Sequence, residues 1–332
     1  MRAVRIHETG GPEVLRVDQI DVPVPGPDEV LIRVGAAGVN FTDVTARQGV
    51  YISRDSAPVL PATLGTEVAG VVSATGPGVP QELVGRRVVA FVHGGYADYA
   101  LARRDLTAEL PPGVDLAEST ALPVQGVTAW QLLRDCARIA PGESVLVHTA
   151  AGGVGSLAVQ LARRFGAGTV IATAGSAEKR KLALDLGADF AFDYTSEQWP
   201  RDVLDATGGR GVDIILDAVG GPVGEAGPGC LAPFGRLVVY GVTGKQLAQF
   251  AGSQLMRGNQ SVIGYWLTGR LPAGPDAAAG HPIAGILREL VELTASGGLR
   301  PVLREAFPLE RAADAHRAIS DRRTVGKVVL TL

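Results

Sequence analysis

The sequence predicts an α/β protein in which a doubly wound parallel sheet is inserted into a β-rich domain. Three observations predict it. The chain has 332 residues, more than one hydrophobic core usually fills. Near Val124 its texture changes from short strands punctuated by Gly and Pro to strands alternating with helical segments. Close to the end, Val328-Val329-Leu330 returns to the earlier strand texture, so both chain ends are read as parts of one domain. The expected division is therefore 1–123, 124–265 and 266–332, with the first and last segments folding together.

Taken in order, the apolar runs at 30–34, 68–72 and 87–91 read as strands of the β-rich domain. Gln125 to Trp130 begins a helix leading into the second domain. There, strands are expected at 144–149, 169–173, 190–193, 212–219, 236–240 and 261–265. Helices are expected at 153–165 and at 177–186, the latter stopped by Gly187. Six strands with crossover helices make a doubly wound sheet. The stretch 267–282, rich in Gly, Pro and Ala, reads as a surface loop, and a helix follows near 283–295.

Composition narrows the function classes. With 31 basic against 34 acidic residues the formal net charge is −3, which provides no global field to draw in nucleic acid or an anionic membrane. No stretch approaches the roughly 18 uncharged apolar residues of a membrane span, and the N-terminus carries no secretory pattern. A cytoplasmic protein is expected. Cys136 and Cys230 lie too far apart in sequence for a metal knuckle or a redox dithiol. Cys136 is placed on a helix and Cys230 in a Gly/Pro loop, and neither receives a role. The five histidines show no metal-ligand spacing, and His93 and His148 read first as structural residues.

The strongest local signal is Val145-Leu146-Val147-His148-Thr149-Ala150-Ala151-Gly152-Gly153-Val154-Gly155, a strand entering a glycine-rich turn and then a helix. It follows G-x-G-x-x-G spacing, with Ala150 in the first glycine place. Gly152 lets the backbone approach a pyrophosphate and Gly155 lets the helix pack on the strand, while Gly153 and Val154 stand at the helix N-terminus with its free N–H groups. A dinucleotide site is the reading. NAD sites place Asp or Glu at the tip of the second strand to bind the ribose 2′-hydroxyl, whereas this chain reads Ala172-Thr173-Ala174-Gly175-Ser176-Ala177-Glu178-Lys179-Arg180. Ser176 and either Lys179 or Arg180 suit a 2′-phosphate. A solvated helix face would also carry those two cations, but the missing acid favours NADPH.

These residues, together with Ala36-Ala37-Gly38-Val39-Asn40-Phe41-Thr42-Asp43 and Leu64-Gly65-Thr66-Glu67-Val68-Ala69-Gly70, make the chain resemble the zinc-free quinone oxidoreductases of the zeta-crystallin type. That family belongs to the medium-chain dehydrogenase/reductase superfamily, and the resemblance covers essentially the full length. It implies a GroES-like catalytic domain built from both chain ends, an inserted Rossmann domain, a cleft between them and a homodimer. Zinc-dependent relatives have a Cys ligand where Asn40 stands and a His ligand where Thr66 stands, which leaves Glu67 alone. One carboxylate does not hold zinc, so no metal is expected.

By the same resemblance, Tyr194 packs on the adenine-ribose side, Lys179 contacts the 2′-phosphate and Arg322 reaches the same group. Thr128 sits beside the nicotinamide phosphate or ribose, and Gly241-Val242-Thr243 with Tyr265-Trp266-Leu267 line the nicotinamide. An apolar strand end packed in the core is the alternative for Tyr265 and Trp266. Catalysis without a metal rests on holding nicotinamide C4 near the acceptor and stabilising the oxygen charge that develops. The candidates are Asn40, whose amide could bind a substrate oxygen or the nicotinamide ribose; Tyr51, a cleft tyrosine by resemblance; and Asp43. For Asp43 a role in ordering the local network competes with helix capping, and for Tyr51 the alternative is a half-exposed loop aromatic.

The expected activity is NADPH-dependent reduction of a quinone or enone. Two other readings remain open: an enoyl-thioester reductase of polyketide or fatty-acid type, and an NADPH-binding protein of crystallin or RNA-binding kind without turnover.

Overall fold

A computed structural model describes residues 1–50, 57–244, 246–267, 269 and 282–332. Contacts divide the chain into two compact units, Met1–Val127 with Pro272–Leu332, and Thr128–Leu271. In the first unit the chain forms strands β1 (Arg2–Ile6), β2 (Arg16–Gln19) and β3 (Glu29–Val39), helix α1 (Phe41–Arg47), then β4 (Ala62–Thr63), β5 (Glu67–Thr75), β6 (Arg87–Phe91), β7 (Tyr99–Arg103), β8 (Thr107–Glu109) and the one-turn helix α2 (Leu116–Ser119). Helix α3 (Val127–Gln131) leads onward. It is flanked by two wide turns, in which Gly126 N–H donates to Ala121 O at 2.9 Å and Ala137 N–H donates to Leu132 O at 2.9 Å.

The second unit alternates strand and helix: β9 (Ser144–Val147), α4 (Gly153–Arg164), β10 (Thr169–Thr173), α5 (Ala177–Asp185), β11 (Phe190–Phe192), α6 (Trp199–Ala206), β12 (Val212–Asp217), α7 (Gly221–Cys230), β13 (Leu231–Val239), α8 (Gly252–Gly258) and β14 (Ser261–Gly264). Its sheet has the order β11-β10-β9-β12-β13-β14, and every pairing is parallel. Helices cover the faces of such a sheet, which explains why all four residues of β9 are buried. The chain order reverses on either side of β9, and ligands of open α/β sheets bind at the strand carboxyl ends beside that reversal. Leu146, Ile171, Ile215 and Leu237 pack with Trp199 and Val203 beneath it.

The chain then forms α9 (Pro282–Ala295), β15 (Leu303–Pro308), α10 (Ala312–Ser320) and β16 (Lys327–Thr331). β16 is antiparallel to β3, with Val328 opposite Val39, and parallel to β15. The seven-stranded sheet runs β15-β16-β3-β5-β6-β8, with β7 also on β3, so residues from both segments of the unit share one core. Ile6, Ile32, Val68 and Leu330 meet there, each worth about 1.5–3 kcal/mol when fully buried.

Two expectations change in ways the packing explains. The first strand of the parallel sheet stops at Val147 rather than 149, because Thr149 turns into the left-handed region at φ 51°. Cys230, expected in a loop, ends α7. That helix reads Gly-Pro-Val-Gly-Glu-Ala-Gly-Pro-Gly-Cys, a poor helix former, and it is held by packing: Gly224 lies over Asp217 and Gly227 over Leu237. The loop expected at 267–282 lies almost entirely outside the described residues.

Candidate active site

In the second unit, β9 runs into the turn that starts α4. Gly152 is the N-cap, and its N–H donates to Thr149 O at 2.8 Å. A Cβ on Gly155 would stand 2.3 Å from Thr149 O and 2.8 Å from Ala150 Cα, so only glycine lets α4 approach the strand end. Gly153, Val154 and Gly155 form the first turn of the helix, whose N–H groups have no acceptor within it. The turn is the cradle that a pyrophosphate needs.

The tip of β10 carries no carboxylate. The Ser176 hydroxyl caps α5, accepting from Lys179 N–H at 3.3 Å. Arg180 is turned inward: it donates to Ala174 O at 3.2 Å and to Asp193 Oδ2 at 2.7 Å. That ion pair engages Arg180, one of the two alternative cations for a 2′-phosphate. Tyr194 lies over the same tip, since a Cβ on Gly175 would stand 3.5 Å from its hydroxyl oxygen. Ser176, Lys179 and Tyr194 are thus brought together.

At the next strand ends, a Cβ on Gly241 would be 3.2 Å from Ala218 Cβ, and a Cβ on Gly220 would be 3.3 Å from Val242. The Thr243 hydroxyl donates to Ala218 O at 3.0 Å. Tyr265 donates to Gln131 Oε1 at 2.7 Å, which ties β14's exit to α3, the helix that carries the buried Thr128. Trp266 and Leu267 follow, half-buried. Arg322 sits in the other unit, after α10, at φ 56°.

Two buried polar residues support this crevice. Asp217 accepts Val219 N–H at 2.7 Å and Gly220 N–H at 3.3 Å, which shapes the turn after β12. His148 is fully buried; its Nδ1 bonds Thr173 Oγ1 at 2.8 Å and its ring meets Trp199 edge-on at 5.1 Å. Burial holds this imidazole below its ordinary pKa, so it is a neutral clamp between β9 and β10.

The first unit contains a second cluster, centred where β3 gives way to α1. Asn40 caps the helix, and Asp43 Oδ2 accepts its backbone N–H at 2.8 Å. The same carboxylate oxygen accepts the Tyr96 hydroxyl at 2.9 Å, and Tyr96 lies 3.2 Å from His316 Nε2. Capping and network ordering are therefore both roles of Asp43. Burial pushes Asp43 up to about 6 against those hydrogen bonds, and burial with Arg47 nearby pushes His316 down to about 3.

The Asn40 carboxamide is enclosed by four neighbours. Its Nδ2 donates to Glu67 Oε1 at 2.6 Å and reaches Thr66 Oγ1 at 3.5 Å. Its Oδ1 accepts from Gln125 Nε2 at 3.0 Å and from Lys327 Nζ at 3.1 Å. Lys327 also forms a very short ion pair with Glu67 and reaches Val39 O at 3.4 Å, with both ionic side chains at 0% exposure. Glu67 Oε2 accepts Val124 N–H at 2.8 Å. A Cβ on Gly38 would stand 2.4 Å from Glu67 Oε1 and 2.7 Å from Lys327 Cε, so the pair fits only against glycine.

Lys327 and Gln125 escaped sequence reasoning. The available signal was a lysine opening an apolar strand that is buried on both faces. Tyr51 lies outside the described residues.

For zinc the donor set does not fit. An amide and a hydroxyl stand in two ligand places, and the one carboxylate already neutralises an ammonium. Among the described residues no three His, Cys, Asp or Glu side chains gather to hold a metal, and no helix is long and apolar enough to cross a membrane.

A family model for the alcohol dehydrogenase GroES-like domain matches residues 26–112, and one for zinc-binding dehydrogenases matches 153–277. The quinone oxidoreductase of Rattus norvegicus is 37% identical over 337 residues, covering 100% of this chain and 98% of that protein. Among solved structures, Escherichia coli quinone oxidoreductase complexed with NADPH is 32% identical with a TM-score of 0.90, covering 100% of both chains. A mycobacterial protein complexed with NADPH is 35% identical with a TM-score of 0.90, again over 100% of both chains.

Proposed function

Because this chain belongs to the quinone oxidoreductases of the medium-chain dehydrogenase/reductase superfamily, with a GroES-like and a Rossmann unit, we propose that it reduces quinones or other α,β-unsaturated carbonyl compounds with NADPH and without zinc. The observation that carries the metal-free part is the Lys327 ammonium on Glu67, a cation supplied by the chain itself. Ser176 and Lys179 at a strand tip without an acid support NADPH, as does the NADPH in the two related structures.

When bound, the nicotinamide supplies a hydride to the electrophilic atom of the acceptor. The chain's residues bind and orient. Gly152 to Gly155 cradle the pyrophosphate, Ser176 and Lys179 hold the 2′-phosphate, and Tyr194 packs on the adenosine. Asn40 donates a hydrogen bond to the acceptor's oxygen, which gains charge as hydride arrives; a solvent proton then goes to that oxygen of a quinone, giving hydroquinone, or to the α-carbon of the enolate formed from an enone, giving the saturated carbonyl.

The test measures NADPH oxidation with benzoquinone, a small enone and crotonyl-CoA, before and after dialysis against a chelator. Turnover of benzoquinone or the enone that survives chelation is expected. A strong preference for crotonyl-CoA would reassign the protein as an enoyl-thioester reductase, and tight NADPH binding with no acceptor turned over would make it a non-catalytic binder. Activity lost to the chelator and restored by zinc would remove the metal-free reading.

A further inference from the structure

The Asn40 carboxamide has only one way round. Its Oδ1 faces two donors, Lys327 Nζ at 3.1 Å and Gln125 Nε2 at 3.0 Å, and its Nδ2 faces the Glu67 carboxylate at 2.6 Å. Flipping the amide would set N–H against ammonium and amide donors and oxygen against a carboxylate. One Nδ2 hydrogen is used by Glu67. The other has only Thr66 Oγ1 at 3.5 Å, the outer limit of a hydrogen bond, so it remains available to a ligand oxygen.

We propose that Lys327 is a positioning residue: its ammonium fixes and polarises the Asn40 amide, so that the remaining N–H binds the acceptor's carbonyl oxygen and stabilises the negative charge it gains. This deepens the reductase reading and rests on it. The physical basis is a cation on an amide oxygen among buried groups. It draws electron density from nitrogen, which makes the N–H a stronger donor, and the Gln125 donor on the same oxygen pulls in the same direction. Glu67 keeps the ammonium in place and, through Val124 N–H, ties it to the segment that carries Gln125. Lys327 opens β16 and Asn40 follows β3, adjacent strands whose register sets Val328 opposite Val39. Gly38, on the same stretch of β3, leaves room for both charged groups.

The alternative is an ion pair that only holds β16 to β3. Lys327→Met alone would strand a buried carboxylate and endanger folding. The informative variant is therefore Glu67→Gln with Lys327→Met, which removes both charges and keeps the volumes close. Acceptors report on the oxygen charge. A strongly oxidising quinone reaches its transition state early with little charge on oxygen, whereas a weakly electrophilic enone reaches it late.

With NADPH affinity within about twofold of wild type, the double variant is expected to lose about tenfold or more in kcat for the enone, with a smaller loss for benzoquinone and little change in KM. Equal kcat losses for the two acceptors, or rates matching wild type, would overturn the assignment. Wild-type turnover of either acceptor tests the function separately.

If wild type turns over neither, the Asn40 side-chain amide resonance, identified by its disappearance in Asn40→Ala, reads the same contact by NMR. In the double variant the Asn40 amide proton that is not bonded to residue 67 is expected to move upfield, and an unmoved signal there overturns the proposal.

Discussion

On the proposed reading, Lys179 is the side chain on which the choice of dinucleotide turns. Arg180, its neighbour, is held by Asp193 and the Ala174 carbonyl, so the two cations are not interchangeable. Lys179→Ala is expected to weaken NADPH binding about tenfold or more, the loss of one charge-assisted hydrogen bond, and to leave NADH within about twofold. Titration of cofactor fluorescence measures both constants, and equal weakening would move the phosphate contact elsewhere. At this scale the sequence was informative where chemistry is local. Asn40, Asp43, Ser176 and Lys179 stand near glycine turns or helix starts that mark them. Lys327 was invisible because it meets Asn40 across 287 positions, and nothing in the order of residues announces such a contact.

Helix α4 and its turn carry a sharp constraint at the proposed cofactor site. Gly155 has one backbone oxygen 2.3 Å from a would-be Cβ, whereas at Gly152 the nearest atom is Thr149 O at 3.2 Å. Gly155→Ala is expected to displace the helix start, lower the melting temperature and abolish NADPH binding, while Gly152→Ala retains the fold with weaker binding. Thermal melts with and without NADPH check the pair, and a Gly155→Ala protein with wild-type affinity would refute the tight approach. The elements read most reliably were those whose hydrophobic period agrees with their packing, such as β10 and α4. α7 was unreadable because its glycines and prolines argue locally for a loop, and tertiary contacts with Asp217 and Leu237 overrule them.

The stability of the whole molecule should depend on two buried groups that respond to pH with opposite sign. His316 falls from 6.5 to about 3, so the folded state holds it neutral, and its contribution is present above pH 6.5 and lost as pH falls toward 3. Asp43 rises from 3.8 to about 6, so its contribution is present below pH 3.8 and lost as pH rises through 6. His316→Gln removes the first and leaves the second. Between pH 7 and 4.5 the melting temperature of wild type is expected to fall more steeply than that of the variant, as followed by circular dichroism. Parallel curves would mean that His316 takes up its proton at the same pH in the folded and unfolded chain. The overall plan, a parallel sheet within a β-rich domain, was legible because the two textures differ in period. The polar network of Asp43, Tyr96 and His316 was not, since its members lie on separate elements.

The place of β16 beside β3 also orders events on the ribosome. Every residue of the Rossmann unit leaves the exit tunnel before Lys327 does, so that unit, whose contacts lie within one continuous stretch, can fold while the other still waits for its partner strand. Until translation delivers that strand, the edge of β3 lies open and the Glu67 carboxylate has no counter-charge to enter the interior with. Aggregation of the nascent chain is therefore expected to begin at that open edge rather than in the Rossmann unit.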